Sequence, residues 1–342
     1  MIRDGRHTVR DHDYIETVDG WIFCVVSDLH PPGRVLAYLK YIPGDGPWVR
    51  DNTRFIRMVG SYSMEEVGRT IGFIRERKPQ YVYLEPTIGE EFTYPPLSSM
   101  ANHYRPEERL REVLDSPQWI REKDCRRIVL DLSQGSQSLL GFMGVTGSLL
   151  PGLKYGKADV DLIVYGRNNY LRILDVSDQI QGRGERELLE TMWLRSFLAR
   201  YRLERGEALQ LFQRVRNKGF YQNVPYSIHA VRTVEELSQN YGDMIFRPAG
   251  VGRVVLKVLD SSESYFTPSV YRVESVASGL DVETLTCYDS TFSGLFQQGD
   301  TVEAVGKLET VYDKLGGRMY TNLLVGSIRT GGVEYVKLLD SA

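Results

Sequence analysis

The chain has 342 residues, a net charge of −3, 42% hydrophobic residues and 25% charged residues. That length exceeds one small core and predicts two or three domains. The near-neutral balance excludes a polybasic nucleic-acid binder as a whole, while leaving room for a local basic face. Cys24, Cys125 and Cys287 stand far apart in no metal-ligand spacing and read as free thiols in a reducing cytosol. The charged start, MIRDGRHTVRDHDY, lacks the apolar core of a signal peptide, and no apolar run approaches the ~20 residues that span a bilayer. The expectation is a soluble cytoplasmic protein with no membrane partner.

In chain order, residues 14–42 alternate as strands about a reversal. Trp21–Val26 and Val35–Ile42 flank His30-Pro-Pro-Gly33, which cannot continue a ladder. Ser63-Met-Glu-Glu66 has the form of a capping box opening a helix that runs to about Lys78 and stops at Pro79. Tyr81–Leu84 reads as a strand, and residues 86–104 as an irregular, Pro- and Tyr-rich connection. Pro106 and Pro117 suit first helical positions, with Ser116 as N-cap of the second helix, which spans 118–134. Leu139–Val145 is apolar and suits a buried strand. Residues 185–217 are helical, with Leu188, Leu189, Met192, Trp193, Phe197, Leu198 and Tyr201 as a core stripe. From 251 to 338 several short strands separated by turns such as Gln298-Gly-Asp300 and Gly316-Gly317 predict a small barrel or sandwich. The expected domains are an N-terminal α/β module at 1–104, a central domain at 105–246 and a β-rich barrel at 247–342.

The chemistry concentrates in GVTGSLLPGLKYGKADVDLIVYG, residues 144–166. Side chains at i and i+2 of a strand share a face, so Asp159 and Asp161 point the same way. Two adjacent carboxylates repel and lose solvation, and a hard divalent cation with phosphate oxygens removes that penalty. Gly147 and Ser148 should sit at a strand-to-helix turn, with 148–153 a short helix whose N–H groups and dipole attract phosphate. A phosphate cradle facing a metal-binding pair is the machinery of phosphoryl or nucleotidyl transfer. A P-loop is excluded, because Leu153 stands where the lysine is required. Gly182-Arg-Gly184 lacks the third glycine of a dinucleotide fingerprint. Arg202, Arg205, Arg214, Arg216 and Lys218 read either as a solvated face or as a phosphate-facing patch, and Tyr221 and Tyr226 either as base-stacking rings or as core.

The string TGS, ten residues, then DVDL resembles the signature of the DNA polymerase β-type nucleotidyltransferase superfamily. With YSIHAVR and the β-rich tail it is similar to a group of archaeal predicted nucleotidyltransferases. GDTVEAVGKLE and RMYTNLLVGS together resemble an oligonucleotide-binding-type (OB-like) barrel. The resemblance implies an α/β (α+β) fold: a polymerase β-like mixed sheet with flanking helices, an N-terminal α/β module and a C-terminal small β-barrel. It also implies Mg²⁺- or Mn²⁺-dependent transfer of a nucleoside monophosphate from a nucleoside triphosphate to a hydroxyl, whose bearer is an RNA or DNA 3′ end, a protein side chain or a small molecule, the barrel favouring RNA or DNA. Gly147 and Ser148 would then bind the triphosphate, and Asp159 and Asp161 the metals. The third carboxylate that such sites carry on a later strand is missing from PYSIHAVR, residues 225–232, where Ser227 or His229 takes the place. Either His229 is the base, or Asp175, Asp178 or Glu207 substitutes, or the centre has lapsed and the chain is a nucleotide- or RNA-binding scaffold.

Overall fold

Proline and glycine punctuate this chain where its elements begin and end. The computed structural model describes residue 3 and residues 8–60, 64–134, 136–156, 158–201, 203–276, 279–327, 330 and 333–339. The elements begin with β1 (Tyr14–Thr17), β2 (Ile22–Val25), β3 (Ala37–Arg50), β4 (Thr53–Arg57), α1 (Met64–Arg77), β5 (Val82–Glu85), β6 (Glu90–Thr93) and β7 (Met100–Tyr104). Next come α2 (Pro106–Asp115), α3 (Ile120–Leu132), α4 (Gln137–Leu140), β8 (Met143–Val145), β9 (Val160–Tyr165), α5 (Arg167–Ile180), α6 (Arg183–Arg200) and α7 (Arg205–Phe212). The last eight are β10 (Lys218–Tyr221), β11 (Val224–Val231), β12 (Met244–Asp260), β13 (Ser269–Ser275), β14 (Thr284–Cys287), β15 (Thr301–Asp313), β16 (Arg318–Val325) and β17 (Tyr335–Leu339). Among the described residues, seven α-helices and four sheets make the protein mixed α/β. No described helix is long and apolar enough to cross a membrane, which leaves membrane-crossing strands unaddressed.

The chain packs as two compact units interleaved in sequence: Met1–Gly60, Thr93–Leu189 and Arg216–Ser238 in one, Ser61–Phe92, Glu190–Val215 and Gln239–Ala342 in the other. These divisions are not the expected boundaries at 104/105 and 246/247. In the first unit, an antiparallel sheet of order β4-β3-β2-β1-β7 holds the anticipated hairpin around Pro-Pro-Gly, now β2 and β3. The stretch read as irregular ends in β7, which pairs with β1 through Tyr14 opposite Tyr104. A second sheet of order β10-β11-β9-β8 is mixed: β9 and β11 run parallel, and the outer pairs antiparallel. Tyr14, Ile22, Tyr41, Trp48 and Phe55 of the first sheet form one core with Leu150, Leu153 and Ala158. The ten residues between the two halves of the motif are thereby clamped to the N-terminal sheet. Reciprocal backbone bonds between Val49 and Lys154, at 3.1 and 2.8 Å, complete the clamp.

Helix starts follow the sequence in part. Pro106 opens α2, and Pro79 lies two residues beyond the end of α1; the capping box at 63–66 lies outside the described residues at Ser63. Pro117 does not open α3, which starts at Ile120, and Ser116 instead closes α2, donating its N–H to Glu112 O. The carboxylate of Glu122 accepts the Gln118 N–H at 2.5 Å and binds Arg109, which sets the later start. The α6 stripe is narrower than expected. Trp193, Phe197 and Tyr201 are buried and stack in series, with ring centroids 4.5 and 4.8 Å apart, whereas Leu188 and Met192 are 44% and 53% exposed.

In the second unit, β12 to β16 close into a ring of order β12-β13-β14-β16-β15, because β12 pairs with both β13 and β15. β14 and β16 are parallel, and β17 adds to β15. Lys307 of β15 is buried, with Nζ 2.5 Å from Glu90 of β6 and 2.8 Å from Glu309, whose other oxygen accepts from Asn322 at 3.0 Å. Thr284 and Thr286 donate to the same Asn322 at 2.9 and 2.8 Å. Removing one partner of a buried ion cluster strands the others in low dielectric. Lys307→Met should therefore lower the unfolding free energy by ~3–5 kcal/mol in urea denaturation, and adding Glu90→Gln and Glu309→Gln should recover most of the loss.

Candidate functional site

The site is built where β8 turns back into β9. Thr146 N–H donates to Asp161 O at 2.8 Å, and the chain then enters Gly147 with φ +66. Residues 147–152 are turns, so the short helix expected at 148–153 is absent. Pro151 brings no N–H, and Gly152 at φ +71 reverses the chain, leaving Gly152 N–H to Leu149 O and Leu153 N–H to Ser148 O. Any attraction for phosphate at this turn comes from its own N–H groups, without a helix dipole. Leu149, Leu150 and Leu153 are buried at 1%, 1% and 0% exposure, which fixes the loop from beneath. Ser148 is buried too, yet its hydroxyl makes no hydrogen bond among the described residues.

Asp159 stands just before β9 on the exposed side and Asp161 is half-buried within it, while Val160 and Leu162 between and after them are fully buried. A Cβ on residue 147 would lie 2.1 Å from Asp161 Oδ2, so glycine is required there both by φ and by space. Asp161 Oδ1 accepts from Ser227 Oγ at 2.6 Å. The proximity of Asp161, and burial after it, push the Asp159 acid up to about 6, against opposing pulls from Lys40 and Arg57. The charge of Asp161 is thus the first influence on the Asp159 acid.

Register explains the rest of the wall. Asp161 pairs with Ser227 on β11, and Ser227 with Lys218 on β10, so the three stand in one row across the sheet. His229 lies two residues further along the same face, Nε2 3.0 Å from Ser227 Oγ. The Ser227 hydroxyl has one hydrogen, which goes to Asp161, so His229 Nε2 carries a proton and donates it to Ser227 Oγ. Burial, then the charge of His12, push the His229 imidazole down to about 3. The neighbour of Asp161 on β11 is thus a hydroxyl, and the expected alternatives do not take up that post. Asp175 and Asp178 both bind Arg216 at 2.6 Å, and Glu207 caps α7 and binds Lys337 at 3.0 Å.

The N-terminal segment contributes residues to which the sequence reading gave no role. His12 lies with its ring centroid 4.9 Å from that of His229. Its Nδ1 is 2.9 Å from Asp11 Oδ2. Burial disfavours the His12 imidazolium, but the Asp11 carboxylate outweighs it, so the net shift is upward. Lys40, buried and bonded to the Tyr14 hydroxyl, brings a positive charge that acts on Asp159, His12 and His229. No motif marks these residues. Their signal is only that charged and imidazole side chains sit inside otherwise apolar strands and turns.

Arg214 binds Asp300 and the Leu295 carbonyl, Arg216 binds the α5 acids, and Arg202 lies outside the described residues. Arg205 is exposed, and Lys218 alone of the group stands in the Asp161 row. Tyr226 is core, its hydroxyl 2.7 Å from Ser177 Oγ, while Tyr221 binds Asp131 beneath Arg127. The three cysteines are buried free thiols. Among the described residues no three His, Cys, Asp or Glu side chains gather to hold a metal by protein ligands alone. Two repelling carboxylates nevertheless suit Mg²⁺ or Mn²⁺ arriving with a triphosphate, since such ions take one or two carboxylates and complete their shell with water and phosphate oxygens.

Replacing Asp161 by Asn should return the Asp159 acid from about 6 toward the ordinary carboxylate range, read from its side-chain carbon shift against pH. Gly147→Ala should cost ~1–3 kcal/mol in denaturation and displace the Asp161 carboxylate, seen as a changed resonance.

The sequence is similar to an uncharacterized protein of Methanocaldococcus jannaschii, at 27% identity over 96% of this chain and 99% of that protein. No family model and no solved structure matches.

Proposed function

We propose that the first unit is a divalent-metal-dependent nucleotidyltransferase, moving a nucleoside monophosphate from a nucleoside triphosphate to a hydroxyl acceptor. The observation that carries this reading is Asp161 packed against the Gly147 turn, with its charge raising the proton affinity of Asp159 two residues away. A bound cation would supply neutralisation of that repulsion and of the phosphate charge. Gly147 admits a phosphate close to the backbone, and the unused Ser148 hydroxyl is a donor for it. Asp159 and Asp161 would hold the metal, while Ser227 and His229 fix the rotamer of Asp161.

The barrel supports a nucleic-acid acceptor. Its closed order β12-β13-β14-β16-β15 with β14 parallel to β16 supports reading it as an oligonucleotide-binding-type barrel. A cytoplasmic setting accords with such an acceptor and with three unpaired thiols.

A second reading is favoured by one observation: Ser227 stands on β11 beside Asp161, where a third carboxylate would be expected. On that reading the protein is a nucleotide- or RNA-binding scaffold without turnover. Incubation with labelled nucleoside triphosphates, Mg²⁺ and total RNA separates the two. Transfer predicts pyrophosphate release that falls by ~10³-fold or more in Asp159→Ala and in Asp161→Ala. Tight nucleotide binding with no release in the unaltered protein would establish the scaffold.

A further inference from the structure

The N-terminal segment reaches the site in a strained and well-anchored form. His12 has φ +65, a left-handed conformation uncommon for residues with a Cβ, though histidine enters it more readily than most. Its N–H donates to Val25 O at 3.0 Å, and its carbonyl accepts from Thr146 Oγ1 at 3.1 Å. Thr146 is the residue whose N–H binds Asp161 O. Arg10, fully buried, pins the segment from behind with Nε 2.5 Å from Asp28 Oδ1 and Nη2 2.5 Å from Arg232 O. Strain of this kind gathers at functional sites.

The side chains give the strain a purpose. Asp11 is 3% exposed; its Oδ2 lies 2.9 Å from His12 Nδ1, within ion-pair distance but without hydrogen-bond geometry, and its Oδ1 makes no hydrogen bond. His12 Nε2 has no partner among the described residues. A buried carboxylate within ion-pair distance of one imidazole nitrogen favours the imidazolium that forms when the other nitrogen takes a proton. His229 does not fill that role at Nε2, which is committed to Ser227 as a donor.

We propose that Asp11 and His12 form a general-base dyad for the acceptor hydroxyl, supplied by the N-terminal segment in place of a third carboxylate on β11. This rests on the nucleotidyl-transfer reading above. As the acceptor oxygen bonds to the α-phosphorus, its proton passes to His12 Nε2. The bond from the α-phosphorus to its bridging oxygen breaks, and pyrophosphate leaves with that electron pair. His12 becomes imidazolium, stabilised by Asp11, and later returns the proton to water. The charged and titratable groups around His12 are Asp11, Lys40, Asp161 and His229, with Asp28 and Arg232 acting on Asp11.

The test uses the full chain with Mg²⁺, nucleoside triphosphates labelled at the α-phosphate, and total RNA. His12→Asn is the chosen substitution, because asparagine tolerates positive φ, and an unchanged thermal midpoint shows that the variant folds. It should lower kcat by ~10²-fold or more with KM for the triphosphate unchanged, and remove the acidic limb of the kcat profile. Asp11→Asn should retain that limb but move it to lower pH, since the Asp11 carboxylate is what raises the proton affinity of His12. An unaltered kcat and limb in His12→Asn, with Asp161→Ala inactive, overturns the dyad and leaves the transferase reading standing. An unaltered protein that releases no pyrophosphate overturns both.

Discussion

Asp161, packed against Gly147, bonded to Ser227 and facing the charge of Asp159, is the group around which this part of the first unit is arranged. Like charges on one strand face disfavour the folded state unless their geometry is imposed from several sides. Gly147 gives Asp161 room because it has no Cβ, Ser227 fixes one carboxylate oxygen, and the β9–β11 register places Ser227 where it can do so. The burial of Val160 and Leu162 on the opposite face keeps β9 from rotating away.

The N-terminal sheet turns the pair into a site. Its apolar face covers Leu150, Leu153 and Ala158, and the Val49–Lys154 backbone bonds tie the spacer down just before Asp159. The same sheet and its leading segment bring Lys40, Arg57, Asp11 and His12 into electrostatic range of the carboxylates or of His229. The site thus contains opposed tendencies: Asp159 and His12 bind protons more readily than usual, while His229 resists them. Environments that push titratable groups apart in this way are typical of sites that move protons.

The second unit solves a different problem. A small ring of five strands has a narrow interior, and the polar cluster of Lys307, Glu90, Glu309 and Asn322 lies buried against it. Each member is hydrogen-bonded to another, which is the condition for burying such groups without a large penalty. Glu90 comes from the β5–β6 hairpin, far upstream in sequence, so the barrel depends on a segment that its own strands do not contain.

Much of the site was written in the order of residues. The Gly147-Ser148 turn, the Asp159/Asp161 alternation, the strand at 225–232 and its lack of an acid are local facts, because a strand's two-residue period and a glycine's free φ act over neighbouring residues. The β-rich tail and the Pro106 helix start were legible for the same reason. Tertiary structure decided what lies across space. Ser227 faces Asp161 only through a parallel register between β9 and β11, and His12 reaches His229 only because Arg10, Asp28 and Thr146 pin a segment more than a hundred residues away in the chain. The interleaving of the two units is of that kind as well: long-range pairings such as β1 with β7 and Lys307 with Glu90 arise from packing and charge compensation, which leave no periodic trace in either partner's sequence.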